Sequence, residues 1–527
     1  MELSKMIGKM RTDSGISQEK LGEILGVSRQ AVQKWESGTA LPDIDNIIRI
    51  SRYFGLSVDA MIFGGDKRAT EELTFERTLN PQYSTLHSWE NYASELQTEY
   101  TQSIEEGKDI EKYSALFKAA AALEDGEIKQ KLAEILFDIV LNAPTRADYR
   151  YHEPSDLETI RLVRSENRPT LAKPDEAALK DKILGAWTGR ICGCLLGKPV
   201  EGMRTENLIP LLKMTGNYPM TRYIHDADLT DKIREDTSFR CSKGNLIDTL
   251  TYAPSDDDTN YTVLAGVLID KYGRDFTPWD VSRVWLDYQP KNAYCTAERV
   301  AFCNFVKGYN PPESAIYKNP YREWIGAQIR ADYFGYINPG DPEAAADMAW
   351  RDASISHIKN GIYGEMFAAA MIAAAASTDD IKTIIAAGLG EIPANCRLAE
   401  DVKLVVKMFD DGKTSEEAFA KIHEKWDEHS GHGWCHTISN AMIVAASLLY
   451  GGGDYGKSIC LAVQTGFDTD CNGATVGSII GMRNGLSGIP EEWYKPLNDK
   501  LSTSIFGVGI VKISEMGEKT LKVALNR

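Results

Sequence analysis

Residues 466–485 read GFDTDCNGATVGSIIGMRNG, and two patterns in this stretch decide the fold of most of the chain. The first is a glycine row at Gly473, Gly477, Gly481 and Gly485. A spacing of four places these residues along one face of a helix. Glycine costs about 1 kcal/mol in a helix interior, so such a row needs a reason. Close backbone approach of a second helix supplies one, and a matching row stands at Gly185, Gly189, Gly193 and Gly197. The two segments are expected to be helices that neighbour each other in the core.

The second pattern is the acidic run that opens the stretch, Asp468-Thr469-Asp470-Cys471. It has a counterpart in Pro254-Ser255-Asp256-Asp257-Asp258-Thr259-Asn260. Apolar helical runs follow both, Tyr261 to Ile269 and Ala474 to Ile480, so each acidic run is expected at a helix N-terminus. One Asp there is ordinary capping. Five exceed what capping needs. If the runs meet, like charges about 4 Å apart cost several kcal/mol at moderate dielectric. Protons or cations must offset that cost. Oxygen ligands without clustered His or Cys suit hard ions such as Mg²⁺, Mn²⁺ or Ca²⁺.

Working outward, the 527 residues suggest two to four domains, and 43% apolar with 26% charged residues is ordinary globular composition. Alanine-rich runs such as 365–376 favour helix and regular strand patterns are absent, so the fold class is all-α. Residues 1–66 form one compact domain, closed by an exit loop at Gly64–Arg68. Residues 67–175 read as a helical linker region, with two helices broken near Asp125-Gly126 (Leu116, Phe117, Ala120; Leu132, Ile135, Leu136, Ile139). Residues 176–527 form the large helical domain. Nine cysteines without a CxxC pair argue against a disulfide framework or thiolate zinc site and fit a reduced, cytoplasmic compartment. The N-terminus lacks a signal-peptide core, and the best apolar stretch, Ile183 to Val200, carries Arg190, so no membrane span is expected. The segment 428–436 holds His429, His432 and His436, but their spacing matches no standard zinc finger, and a polar loop is expected. A net charge of -17 repels nucleic acid at long range, so any DNA contact must be local.

Such a surface is legible at 17–36, SQEKLGEILGVSRQAVQKWE. Ser17 and Ser28 are placed to cap two helices, and Gly26 allows the turn between them. Leu21, Ile24, Leu25, Val32 and Trp35 face inward. Gln18, Arg29, Gln30, Gln33 and Lys34 are the candidate DNA contacts, since Gln can pair with adenine and Arg with guanine. Leu3, Ile7 and Met10 supply a preceding helix; Ile44, Ile47, Ile48, Ile50 and Tyr53 supply a following one. With the closing FGLSVD, residues 1–66 resemble the Cro/repressor-type helix-turn-helix domains. The resemblance implies double-stranded DNA as partner and a possible homodimer reading half-sites.

The paired acidic runs resemble the signatures of the ADP-ribosylglycohydrolase family, which includes the dinitrogenase-reductase-activating glycohydrolases. A third element agrees: the glycine-rich helix 185–197 is followed by Lys198-Pro199-Val200-Glu201-Gly202. The resemblance covers roughly residues 176–500. It implies a large orthogonal helical domain with a two-metal Mg²⁺ or Mn²⁺ centre. Asp256, Asp257, Asp258, Asp468 and Asp470 would be metal ligands, and Glu201, Asp257 and Asp470 catalytic. Asp256 stands where the family has Thr and could still ligate, and Cys471, a poor ligand for a hard ion, stands where it has Thr or Ser. Arg330, Asp332, Gly335 and His357 fall where relatives contact substrate, and Tyr363 could stack on adenine. The implied activity is metal-dependent hydrolysis of a glycosidic bond of an ADP-ribosyl small molecule or ADP-ribosylated target. Two alternatives stay open: a transcriptional regulator that senses such a ligand without turnover, and a hydrolase of another N-ribosyl glycoside.

Overall fold

A computed structural model describes residues 3–56, 61 and 81–526. The exit loop expected at Gly64–Arg68, and the second half of the closing FGLSVD, lie outside the described residues. Contacts divide the chain into two compact units, residues 1–85 and 86–527.

The first unit holds four helices, Leu3–Asp13, Gln18–Leu25, Arg29–Ser37 and Ile44–Phe54. Ser17 and Ser28 cap the second and third through their hydroxyls, accepting from the Lys20 and Ala31 amides. Gly26 adopts φ 70°, the left-handed conformation that turns one helix into the next. Ile7, Leu21, Leu25, Val32, Trp35 and Ile50 close the core. Ile24 departs from the expected inward face and is exposed at 37%, because Leu21 and Leu25 already fill the narrow stripe of an eight-residue helix.

The second unit is helical, with one short antiparallel hairpin, Lys500–Ser502 against Ile510–Lys512, added to the all-α expectation. Its centre is the pair Leu179–Gly197 and Thr469–Asn484, both buried almost throughout. The glycine rows meet antiparallel. A Cβ at Gly189 would stand 2.2 Å from the Gly477 carbonyl oxygen, one at Gly193 1.9 Å from that of Gly473, and one at Gly197 2.3 Å from Thr469. Only hydrogen fits between the backbones. The expected pairing of the two rows is therefore observed. It has a consequence for the site: the C-terminal end of one helix, leading into Lys198–Glu201, is held against the N-terminal end of the other, which carries Asp468 and Asp470.

Residues 86–175 belong with the second unit. Helices Ser114–Ala121 and Glu127–Asn142 flank the expected break, and Phe117, Ala120 and Leu136 pack in a small core of their own. Leu116 and Ile135 are exposed instead. The preceding helix, Leu96–Glu105, lies on the body through polar contacts. Buried Arg322 pairs with Glu99 at 2.9 Å and with Glu106 at 2.5 Å, and Gln102 donates to Glu323 at 2.6 Å. Removing one partner of a buried ion pair leaves an uncompensated charge, costing about 3–5 kcal/mol. Arg322→Met is expected to lower stability by about that amount in a denaturant melt; a loss under about 1 kcal/mol would contradict the role given to these pairs.

Candidate functional site

Both acidic runs stand at helix N-termini, as their sequence context predicts. Asp256 caps helix Asp257–Tyr272, accepting from the Asp258 amide at 3.0 Å. Asp468 precedes helix Thr469–Asn484 without capping it. The glycine seam and Arg190 bring the runs together. Arg190, fully buried, donates to the Asp258 carbonyl at 2.7 Å and pairs with the Asp258 and Asp332 carboxylates at 3.1 and 2.8 Å. Oxygens of Asp258 and Asp470 and the Cys471 sulfur lie within 4.8 Å of one another, and so do ligand atoms of Cys194, Asp256 and Asp258. Asp256, Asp258, Asp468 and Asp470 are buried, Asp257 is half-buried, and Glu201 is exposed at the rim. Asp258 Oδ2 and Asp470 Oδ1 are buried without a hydrogen-bond partner among the described residues.

Buried, unpartnered carboxylate oxygens in close company are costly. Burial first, then neighbouring carboxylates, push Asp257 well above the ordinary range. Asp468 is raised likewise. Asp470 rises through burial and Asp256, and Asp258 rises through burial although Arg190 opposes it. Glu201, open to solvent at the rim yet crowded by protein on its other sides, is pushed up to about 9, chiefly by the charge of Asp470, then by that partial loss of water and by Asp256 and Asp257. Asp256 is the exception. Burial raises it too, but the Lys198 ammonium, ion-paired to its Oδ2, holds it below the usual range. Sequence reasoning quoted Lys198 and gave it no role; the signal was a basic residue directly after the last seam glycine.

This donor set fits a hard divalent cation: carboxylate oxygens, two of them orphaned, from two separate helix N-termini. Burial and neighbouring carboxylates raise the Cys471 and Cys194 thiols well above their ordinary range, and soft sulfur adds little for such an ion. Without cations the cluster must take up protons on folding. Groups whose pKa is raised on folding contribute stability present below their unfolded values; it is lost as pH rises through the folded ones. For Glu201 that window runs from 4.5 to about 9. In EDTA the melting temperature is expected to fall from about pH 5.5 to about pH 8.5, and Mn²⁺ is expected to remove that fall. A pH-independent Tm in EDTA would contradict this electrostatic description.

A cavity of about 310 Å³ opens beside Glu201, lined among others by Gly202, Arg204, Asn207, Ser238 and Arg240. Arg204 also stands over the Trp434 ring at 5.3 Å. These cationic groups carried no signal in the sequence beyond their charge. The residues expected to contact substrate are all in the interior. Arg330 pairs with Glu298 at 2.6 Å and with Asp352. Asp332 is held by Arg190. A Cβ on Gly335 would stand 2.6 Å from Ile372. His357 is fully buried with Nδ1 2.9 Å from the Ser356 hydroxyl, and the Tyr363 hydroxyl donates to the Pro154 carbonyl.

The segment 428–436 is not the expected polar loop. It contains the short helix Gly431–Cys435, and His432 and His436 are buried facing Glu105. Apolar contact with Trp324 and Trp426 draws both rings inward. Each ring accepts an N–H at Nδ1, from Trp324 Nε1 at 3.1 Å and from the Ile438 amide at 3.1 Å. That leaves Nε2 of each ring to carry the proton: His432 donates to Glu105 at 2.9 Å, while His436 Nε2 lies 3.7 Å from the same carboxylate, buried without a hydrogen-bond partner among the described residues.

In the first unit, Arg29, Gln30, Gln33 and Lys34 are exposed along helix Arg29–Ser37. Gln18 is half-buried and donates to Glu36 at 2.7 Å.

Fold and site together define a predominantly helical, carboxylate-centred protein that carries a helix-turn-helix unit. The chain belongs to the ADP-ribosylglycohydrolase family, whose profile matches residues 175–520. A helix-turn-helix profile matches residues 7–61. The chain is 31% identical over 87 residues to the HTH-type transcriptional activator BcrR of Enterococcus faecalis, 16% of this chain and 43% of that protein. It therefore spans less than half the length of that relative. It is 34% identical over 90 residues to the SPbeta prophage-derived uncharacterized HTH-type transcriptional regulator YonR of Bacillus subtilis (strain 168), 17% of this chain and 82% of that protein. A solved structure described as an ADP-ribosylglycohydrolase-related protein complex aligns with 66% of this chain and 99% of that chain, at 18% identity and a TM-score of 0.42. Among the described residues no helix is long and apolar enough to cross a membrane.

Proposed function

We propose that the second unit hydrolyses a glycosidic bond at C1 of an ADP-ribosyl or related ribosyl substrate, and that the first unit binds duplex DNA. The observation that carries the enzymatic reading is the meeting of Asp258 with Asp256 on one side and Asp470 on the other, two orphaned oxygens among them, with Asp257 and Asp468 on the same two helix N-termini. Asp257, Asp258, Asp468 and Asp470 are the residues to hold divalent cation, Mg²⁺ or Mn²⁺. Bound there, the cation supplies Lewis-acid binding of ribose hydroxyls and charge compensation.

The chain's own groups do the rest. Carboxylates around C1 favour an oxocarbenium-like transition state. Glu201, at the rim, has its proton held by the negative charge behind it. Compensation of that charge returns it to the carboxylate range, where it can take a proton from water or pass one to the leaving group. Arg204 and Arg240 beside it suit the phosphates of an ADP-ribosyl group. In the first unit the exposed face Arg29, Gln30, Gln33 and Lys34 is the proposed base-reading surface.

The test is turnover of ADP-ribosyl-arginine and a panel of ribosyl glycosides, with Mg²⁺, Mn²⁺ or EDTA. Metal-dependent hydrolysis of one of them is expected, and Glu201→Gln should lower kcat by about 10²–10⁴. Binding of ADP-ribose without turnover of any substrate would favour the alternative, a ligand-sensing regulator. The ion pair that occupies Asp256 is the observation on that side.

A further inference from the structure

The acidic centre is not symmetrical. Both oxygens of Asp256 are engaged: Oδ2 by the Lys198 ammonium, Oδ1 by the Asp258 amide at 3.0 Å. Asp258 Oδ2 and Asp470 Oδ1, by contrast, are buried with no partner among the described residues. The third potential ligand atom grouped with Asp256 and Asp258 is the sulfur of Cys194, a buried thiol unsuited to a hard ion. Lys198 is not a loose surface residue that happens to reach in. It follows Gly197, whose backbone is pressed against Thr469 and Asp470, and its side chain is mostly covered. The seam that builds the acidic centre therefore also fixes the base of this lysine beside it.

We infer that the Lys198 ammonium is a resident cation of the centre, standing where a second divalent ion would otherwise bind, so that the chain takes one divalent cation, on the Asp258–Asp470 side. The inference rests on the reading that this centre binds divalent cation at all. The family resemblance implies two ions; the donors here fit one. Asp256, in place of the usual Thr, supplies the charge that the ammonium needs. A divalent ion bound on Asp256 would have to displace the ammonium or sit against it, and like charges in a buried site oppose that strongly. The pair is thus a built-in substitute: one lysine charge and one extra carboxylate replace one ion and its neutral ligand.

The experiment counts bound Mn²⁺ on the full chain by electron paramagnetic resonance of the free ion during titration, with circular dichroism to verify folding. One Mn²⁺ per chain is expected for the wild type and for Lys198→Arg. Lys198→Met is expected to bind two, because Asp256 is released as a ligand. Lys198→Gln, which keeps a hydrogen bond to Asp256 without the charge, serves the same purpose should Lys198→Met not fold. Two Mn²⁺ in the wild type, or one in a folded neutral variant, overturns the inference and leaves the metal centre standing. No Mn²⁺ in the wild type overturns both.

Discussion

Asp470→Asn is expected to cut ribosyl-glycoside turnover about a thousandfold or more, equivalent to about 4 kcal/mol of transition-state stabilisation, while the fold persists. Asp470 lies buried where the two acidic runs meet, and one of its oxygens has no hydrogen-bond partner among the described residues. Asparagine matches its shape and removes both the charge and one ligand oxygen. The same change relieves repulsion in the cation-free chain, since Asp257 and Glu201 are both raised by the Asp470 charge. Two measurements with opposite signs follow. Activity collapses, and the melting temperature in EDTA rises or holds while the increment on adding Mn²⁺ shrinks. Asp257→Asn should behave alike. Full activity of either variant in EDTA would remove the metal from the mechanism.

Gly193→Val is expected to leave the second unit unfolded. Even an alanine Cβ there would stand 1.9 Å from the Gly473 carbonyl oxygen and 2.5 Å from its carbon. Both are backbone atoms of a helix locked at neighbouring points by Gly189 and Gly197. Ordinary overpacking costs about 1–3 kcal/mol because side chains can shift. Here the helices themselves must part, which also separates Glu201 from Asp470. Gly193→Ala should therefore already reduce stability by more than about 3 kcal/mol and lower activity. Gly202→Ala, on the same segment with open space around its Cβ position, is the contrast, with only the cost of its φ of 76°. Equal stability of wild type and Gly193→Ala in a urea melt would mean that the seam is not as close as described.

What could be read in the sequence was whatever repeats locally. The four-residue glycine spacing announced the central helix pair, and adjacent aspartates before apolar runs announced two helix N-termini. Ser17, Gly26 and Ser28 did the same for the helix-turn-helix. What could not be read depends on contacts between distant residues. Lys198 is an unremarked loop cation until the fold sets it on Asp256. Arg330 and His357 look like polar residues awaiting a ligand until buried Glu298, Asp352 and Ser356 are found around them. The histidines at 432 and 436 lie in an apparently polar run; the tryptophans that bury them come from 324 and 426. Ile24 and Ile135 show the limit within a helix, where apolar spacing gives a face but not its width.

Crystals of the full chain grown with Mn²⁺ and measured at the manganese absorption edge address the central claim directly. The account predicts an anomalous peak enclosed by the carboxylates of residues 257–258 and 468–470. Carboxylates in mutual contact at saturating Mn²⁺, with no peak between them, would contradict it.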